Sequence, residues 1–403
     1  MINVADAVKI IYSSLPKLEP EIVALGKACG RVLAGEIRAR RDSPPFPRVA
    51  MDGVAIQLSS YQNGRRNFKI AGIQAAGHPH MQLEDGKLCL EVMTGATLPL
   101  GADAVIPYED IQIEDGLAIL PSQLNLKLNM NVHCQAADYA EGEVLLKGPV
   151  TIGANNLAVI ATEGGGQISV LQRPSIAIVS TGDELVEPGV NPLAHQIIRS
   201  NPYVMAAALK TYGREPQLIA HLNDTREELY DGLEKILSQH QVLILSGGVS
   251  KGKFDFVPEV LGQLGVKKMF HRVLQKPGKP LFFGIGAKGQ LVFGLPGNPV
   301  SSLVNFRRYV IPALQKMEGI ESKIIHAELA ETLTYKKEMT YFIPIKLTWR
   351  EKAAPLATPL SGQGSGDFYT LSNSCGFLEI NTAHEGLVVN AGNTFKVYLW
   401  ENV

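Results

Sequence analysis

Between residues 175 and 310 the chain alternates short apolar runs with amphipathic segments, and this alternation limits its possible folds more than any other feature. Four runs have the length and composition of buried strands: SIAIVS (175–180), QLIAHL (217–222), VLILS (242–246) and QLVF (290–293). Three helical segments separate or follow them: SNPYVMAAALKTYG, TREELYDGLEKILSQ and FVPEVLGQLG. Strands that alternate with helices build a mainly parallel sheet with helices on both faces. The pattern therefore predicts a doubly wound α/β domain.

Three strand exits in this region are rich in glycine and serine. They are STGDE (180–184), SGGVSKGKFD (246–255) and GLPGNPVSS (294–302). In a parallel sheet these exits meet at one edge, where ligands bind. Glycines let backbone N–H groups approach an anion, and a helix that begins after Asn298 adds further N–H donors. One such exit is most often only a turn, but three at one edge predict a site for a phosphate or another oxyanion.

Two lysines lie on a turn that proline and glycine stiffen. The segment HRVLQKPGKPLFFG places Lys276 and Lys279 in the sequence KPGKP. Both could be ordinary solvated lysines, but a rigid turn holds their charges in fixed places. We therefore expect them to contribute to the same anion site.

The rest of the chain divides into differently patterned stretches. The first 40 residues favour helices, with a second helical stretch around residues 20–34. From residue 42 to about 128, β-rich runs predict an inserted β domain: GVAIQL, FKIAGI, LCLEVM, AVIPYE and LAIL. Residues 131–166 return to a mixed pattern. His78, His80 and His195 are expected at the surface, and Arg307 and Arg308 are expected to face solvent.

Composition excludes several classes of protein. With 403 residues, 45% of them hydrophobic, the chain is long enough for two to four domains. Its formal charge of −1 argues against binding to duplex nucleic acid, which needs a basic excess. Four scattered cysteines, without histidine companions at metal spacing, indicate neither a zinc site nor a disulfide framework and favour a reducing cytoplasm. We expect no signal peptide and no membrane span.

Six motifs together resemble the molybdopterin molybdenumtransferase family, which includes the gephyrin E domain. They are AMDGVA (50–55), MTGATLPLGADAVIPYED (93–110), STGDEL (180–185), SGGVSKGKFDFV (246–257), KPGKP (276–280) and GLPGNPVSS (294–302). The resemblance covers nearly the whole chain in the family's order. It implies an enzyme that takes adenylylated molybdopterin, releases AMP with Mg²⁺ present and inserts molybdate. It also implies a homodimer with active sites shared between subunits.

The resemblance further implies four domains, with boundaries that the composition changes suggest. Residues 1–42 and 131–172 would form a helical, linking domain, whose first helix is a candidate for packing on the α/β domain. Residues 43–130 would be the inserted β domain and residues 173–318 the α/β molybdopterin-binding domain. Residues 319–403 would be a C-terminal β-barrel, with strand-like runs HAELAETL, FIPIKLTW, FLEI and FKVYLW.

Site residues carry over from the family motifs position by position. The catalytic candidates are Asp52, Thr94, Asp138, Glu184, Asp224, Asp255, Lys276 and Lys279, with Asp224 and Asp255 as Mg²⁺ ligands. From the residues alone, Asp224 could equally cap the helix that follows it. The substrate-binding candidates are Thr181, Gly182, Ser246, Gly247, Gly248, Ser250, Pro280, Pro296, Gly297, Asn298, Pro299, Ser301 and Ser365.

The chain departs from the family pattern at several positions. Val49 and Val54 flank AMDG where a small polar residue and a tyrosine are usual. In NVHCQAAD (131–138) the family's two arginines are absent and only the aspartate is kept, and KKEMTYFIPIKL lacks two more arginines. An active, divergent enzyme could balance the anion charge with Lys336 or Lys337. The alternatives are a paralogue or scaffold that binds molybdopterin without turnover, and an α/β enzyme that adenylylates molybdopterin, against which the extra domains count.

Overall fold

The computed structural model describes residues 1–249, 256–322, 324–362, 364 and 366–400. The chain folds into two compact units. The first comprises Met1–Ala34, Pro149–Ile152 and Ser169–Val403, and the second comprises Gly35–Gly148 and Gly153–Ile168. The four-domain boundaries given above remain predictions. Within the described ranges, no helix is both long and apolar enough to cross a membrane.

A six-stranded sheet forms the centre of the first unit. Its spatial order is Leu218–Leu222, Ile176–Thr181, Val242–Ser246, Leu291–Leu295, Phe282–Ile285 and Lys267–His271. The first four strands are the four predicted from apolar runs, and they are parallel. Phe282–Ile285 runs antiparallel to both of its neighbours, Leu291–Leu295 and Lys267–His271. Sequence reasoning did not predict these last two strands of the order. The mainly parallel sheet is confirmed.

Helices cover both faces of this sheet, as the alternation predicted. Alternate strand residues belong to two separate cores: Ile178 and Ile244 to one, Val179 and Leu245 to the other. The first core also contains Ala7 of the N-terminal helix. The helices are Val4–Ser13, Asn201–Thr211, Arg226–Gln239, Val257–Gln263 and a continuous run of Pro299–Asn305, the π-helical turn Phe306–Val310 and Ile311–Met317.

The C-terminal strands close into a five-stranded barrel. They are Ile325–Leu329, Thr340–Arg350, Ala353–Pro359, Gly376–Asn381 and Thr394–Leu399, with short helices Phe368–Asn373 and Thr382–Glu385. Pairing of Thr340–Ile345 with Gly376–Asn381 closes the barrel. Leu333–Thr334 pairs with Val388–Val389 beside it. Sequence reasoning missed Ala353–Pro359, because its two prolines are atypical of a strand interior.

The second unit contains a six-stranded β-sheet. Its order is Ala104–Pro107, Gly53–Ile56, Leu88–Val92, Asn67–Gln74, Leu117–Ile119 and Gln112–Glu114. The five β-rich runs predicted for the inserted domain are all strands here. The shorter ladders join Arg48–Val49 with Val132–His133, and Glu36–Arg38 with Val144–Lys147; the helices are Leu58–Gln62 and Ala154–Thr162.

The second helical stretch expected at residues 20–34 is wrong. This segment contains the strand Pro20–Ala24, the 3₁₀ turn Leu25–Lys27 and the strand Val32–Leu33. Both strands belong to a four-stranded sheet with Val150–Thr151 and Gln167–Leu171. Partners more than 100 residues away therefore override the local helical pattern.

The expected exposure of Arg307 and Arg308 is also wrong. Each is only 8% exposed. Arg307 donates from Nε to the carbonyl of Leu399 at 2.6 Å, and Arg308 donates to the Glu379 carboxylate at 2.6 and 3.3 Å. Burial works against the charge of Arg308, but Glu379, Tyr398 and Tyr309 together outweigh burial and raise the pKa of the guanidinium. Both arginines thus connect the last helix of the α/β part to the barrel.

Candidate functional site

A cleft of about 1460 Å³ opens at the carboxyl ends of the parallel strands, between them and the barrel. It lies entirely in the first unit. Most predicted site residues of that unit line it: Thr181, Glu184, Asp224, Ser246, Gly247, Gly248, Lys276, Lys279, Pro280, Pro296, Gly297, Asn298, Pro299 and Ser301. Barrel residues that sequence reasoning did not name, including Tyr335, Tyr341 and Phe368, line the other side.

The first two strand exits approach each other too closely for side chains. We call residues 181–184 the first exit loop, 246–249 the second and 294–298 the third. A Cβ on Gly247 would lie 2.5 Å from the carbonyl oxygen of Thr181, and one on Gly248 would lie 2.8 Å from its hydroxyl. Both glycines have positive φ, +101° and +63°. The buried Thr181 hydroxyl has no hydrogen-bond partner among the described residues, which leaves it for a ligand.

One asparagine holds the second and third exit loops together. The side-chain amide of Asn201 donates to Ser246 Oγ at 2.8 Å and to the Gly297 carbonyl at 2.7 Å. Asn201 is the first residue of its helix, after Ser200 at the N-cap position. Sequence reasoning missed these contacts, because the partners of a side-chain amide depend on the tertiary fold. Asn201 therefore fixes the spacing of two loops that line the cleft.

A buried arginine supports the first exit loop and was missed by sequence reasoning. Arg199, 7% exposed, donates to Ser180 Oγ at 3.1 Å and to the Ala220 carbonyl at 3.3 Å. It also forms an ion pair with Glu187. Hydrogen bonds from Tyr203 and Arg199 lower the pKa of the Glu187 carboxyl. The only sequence signal for this role of Arg199 is that it lies close to Asn201 in the chain.

We call the turn Lys276–Pro280 the lysine turn. Buried side-chain amides hold it in place. Gln275 Nε2 donates to Asn305 Oδ1 at 2.6 Å and to the Gly278 carbonyl at 3.1 Å. Asn305 Nδ2 donates to the same carbonyl at 2.9 Å, and the Tyr309 hydroxyl donates to Gln275 Oε1. The predicted rigidity of this turn thus has a source beyond its prolines and glycine. Both lysines are presented to the cleft from a fixed backbone.

Carboxylates also line the cleft. Glu184 and Asp224 belong to the lining, and the Asp224 N–H donates to Asp183 Oδ1 at 2.9 Å. Thr225, rather than Asp224, is the N-cap residue of the following helix and accepts from Glu228 N–H at 3.3 Å. Among the described residues, no three His, Cys, Asp or Glu side chains could together hold a metal. One or two carboxylates suffice for Mg²⁺, which keeps waters and phosphate oxygens as its other ligands, so Asp224 and Glu184 fit this ion.

Three predicted residues lie in the second unit. The Asp52 Oδ1 accepts from the Thr94 hydroxyl at 2.6 Å and from its N–H at 2.7 Å, and these bonds lower the pKa of Asp52. Asp138 contacts His133 at 3.1 Å. The structure thus brings Asp52 and Thr94 together and gives Asp138 a histidine partner.

Four predicted residues of the first unit are not among the described residues that line the cleft. Ser250, Asp255 and Ser365 lie outside the described residues. Gly182 is described, and a Cβ there would lie 2.7 Å from the Glu184 carboxylate. Gly182 therefore leaves room for Glu184 rather than lining the cleft itself.

Three family matches cover almost all of the chain. Residues 2–164 match the MoeA N-terminal region (domain I and II), residues 177–316 a probable molybdopterin binding domain, and residues 326–400 the MoeA C-terminal region (domain IV). A molybdopterin molybdenumtransferase of Synechocystis sp. is 42% identical over 401 residues, which are 99% of this chain and 100% of that protein. The chain belongs to the MoeA family of molybdopterin molybdenumtransferases.

Other MoeA relatives agree over the full length. A molybdopterin molybdenumtransferase of Staphylococcus epidermidis is 30% identical over 409 residues, covering 100% of this chain and 96% of the relative. The crystal structure of a molybdopterin biosynthesis MoeA protein from Pyrococcus horikoshii covers 100% of both chains, with a TM-score of 0.85 and 29% identity. The multi-domain α/β fold with a C-terminal barrel is therefore a MoeA fold.

Proposed function

We propose that this MoeA enzyme cleaves adenylylated molybdopterin in a Mg²⁺-dependent reaction, releases AMP and inserts molybdate into the pterin dithiolene. One observation carries the proposal: exit loops rich in N–H groups, both lysines of the lysine turn, and the carboxylates of Glu184 and Asp224 line a single cleft. Molybdate and the substrate phosphates are anions that such donors bind, whereas Mg²⁺ prefers carboxylate oxygens. The proposed location is the cytoplasm, which the four free cysteines support.

Different residues of the cleft would bind different parts of the substrates and the metal ion. Lys276, Lys279 and Ser301 would hold molybdate, and the exit loops would hold the pterin and its phosphates. Asp224 and Glu184, together with Asp255 outside the described residues, would hold Mg²⁺, which when bound neutralises charge on phosphate oxygens. Because these groups occupy fixed positions, they can favour the charge that develops as the bond to AMP breaks.

Incubation of the purified protein with adenylylated molybdopterin, Mg²⁺ and molybdate tests this function. We expect AMP release, measured by liquid chromatography, together with molybdenum that co-elutes with the pterin. Omission of Mg²⁺ is the control and should suppress both. Tight pterin binding without AMP release would instead identify a binding paralogue or scaffold.

We further propose a homodimer in which Asp52 and Thr94 complete the cleft of a second copy. The cleft of the first unit contains neither residue, and their exposed hydroxyl and carboxylate pair lies on the other unit. The resemblance to the family supports this sharing. A closed twofold dimer would then contain two equivalent shared sites.

Co-expression of two inactive variants tests the shared site. Asp52→Ala and Lys279→Ala proteins, each inactive alone, should regain activity together, because a mixed dimer has one site with both residues intact. Random pairing makes about half of the dimers mixed, so roughly a quarter of wild-type AMP release should return. Differently tagged subunits allow the mixed dimer to be purified and assayed. If purified mixed dimers are inactive, Asp52 does not act in the partner's site.

The Asn201 contacts predict a change in substrate affinity. Asn201→Ala removes two hydrogen bonds between the second and third exit loops, each worth about 0.5 to 1.5 kcal/mol. We expect KM for the pterin to rise about tenfold, with a smaller change in kcat, since the loops must be ordered again on binding. Thr211→Ala, which removes a hydroxyl bond to Ala208 at the far end of the same helix, is the control. Equal KM values in the two variants would contradict the proposed role of Asn201.

A further inference from the structure

The barrel contributes a lysine to the cleft that the motifs do not mark. Among the described residues, the cations that line the cleft are Arg199, Lys276, Lys279 and Lys336. Arg199 forms an ion pair with Glu187, whereas Lys336 makes no ion pair within the described part of the chain. Lys337, the next residue, is not part of the lining. Of these two adjacent lysines, Lys336 therefore lines the cleft and Lys337 does not.

A short ladder brings the Lys336 segment close to the lysine turn. Gln275–Lys276 pairs in parallel with Thr340–Tyr341, so Lys276 lies directly beside the start of a barrel strand. The rings of Tyr335 and Tyr341 pack with their centroids 4.2 Å apart. Since Tyr341 is the ladder partner of Lys276, this ring contact holds the residue before Lys336 next to the lysine turn.

The backbone on the other side of Lys336 is also fixed. The Tyr341 hydroxyl donates to the Lys337 carbonyl at 3.2 Å, and the buried Thr382 hydroxyl lies 3.0 Å from the same oxygen. Thr382 also accepts from the Met339 N–H at 2.9 Å. The backbone at Lys336 is therefore held between an aromatic pair and an anchored carbonyl, while its side chain is exposed.

We propose that Lys336 is a third cation for a doubly charged tetrahedral oxyanion in the cleft. The anion is either molybdate or a phosphate group of the pterin, since both have this charge and shape. Three ammonium groups from two elements can contact such an anion, whereas the lysine turn alone supplies two. The inference rests on the proposed function, because that function supplies the anion.

Charge-removing variants of the two neighbouring lysines test the proposal. Lys336→Gln should weaken anion binding about tenfold or more, because it removes one charge-assisted contact. Lys337→Gln is the matched control: it removes the same charge one residue away and keeps its backbone carbonyl contacts. Lys336→Arg should restore most of the affinity.

Two binding titrations, each without turnover, distinguish the two sources of the anion. Calorimetry with molybdate alone gives one dissociation constant, and fluorescence titration with molybdopterin gives the other. A loss confined to Lys336→Gln in the molybdate arm assigns Lys336 to molybdate, and a loss confined to the pterin arm assigns it to phosphate. Affinities equal to those of Lys337→Gln in both arms overturn the proposal. Failure of the wild type to release AMP would reject the proposed function but would leave this comparison intact.

Discussion

Gly247→Ala is expected to reduce AMP release about a hundredfold while the protein stays folded. The new Cβ would lie 2.5 Å from the Thr181 carbonyl, a distance that real Cβ atoms essentially never show, at a residue with φ of +101°. The first and second exit loops must therefore separate. Displacement of binding groups by about 1 Å can cost a hundredfold in rate. AMP release at saturating substrate gives the effect, and thermal unfolding shows whether the fold remains.

Gly289→Ala is the matched control for that variant. Gly289 has a similar positive φ, +83°, but a Cβ there would meet no atom within 4 Å. It should lose about 1 to 2 kcal/mol of stability from the backbone conformation alone and keep its activity. If both variants were equally active, contact between the two exit loops would not matter for turnover.

Glu379→Ala is expected to destabilise the protein by about 3 to 5 kcal/mol. It leaves the buried Arg308 guanidinium without its carboxylate partner, and an unpaired buried charge is far more costly than a lost surface contact. Trp349 and Trp400 both lie in the barrel part of the chain, so tryptophan fluorescence during urea unfolding reports on this region.

A double variant separates the ion pair from general packing. Arg308→Met with Glu379→Leu removes both charges and keeps apolar volume, so it should be more stable than Glu379→Ala alone. Glu328→Ala, at a more exposed pair with Arg350, should cost no more than about 1 kcal/mol. A double variant as unstable as the single one would show that packing, rather than charge, sets the cost.

Local sequence patterns predicted the elements that depend on local chemistry. The four parallel strands follow from uninterrupted apolar runs, and the exit loops follow from glycines placed directly after them. Gly247 is one of these glycines, and the structure gives it a backbone conformation that other residues rarely adopt. These features need no knowledge of distant partners.

Features that depend on distant partners were not predictable. The pattern around Arg308 indicated a solvent-exposed residue, because Glu379 lies 71 positions further along the chain. The sequence of segment 20–34 favoured a helix, but in the fold its two strands pair with strands near residues 150 and 170. Lys336 and Lys337 were equal candidates by sequence, and the structure distinguishes them because Lys336 lines the cleft and Lys337 does not.

Asn305 has a further consequence for how the cleft opens. It is the last residue of the first α-helical segment in the continuous run that begins directly after the third exit loop, and it is hydrogen-bonded to the lysine turn. Because that segment is seven residues long, the loop and the turn are connected through about 10 Å of helix. Amide protons at both ends should then exchange with solvent in one cooperative opening event. An anion that orders either end would slow exchange at the other, so the first substrate to bind would lower the entropy loss of the second.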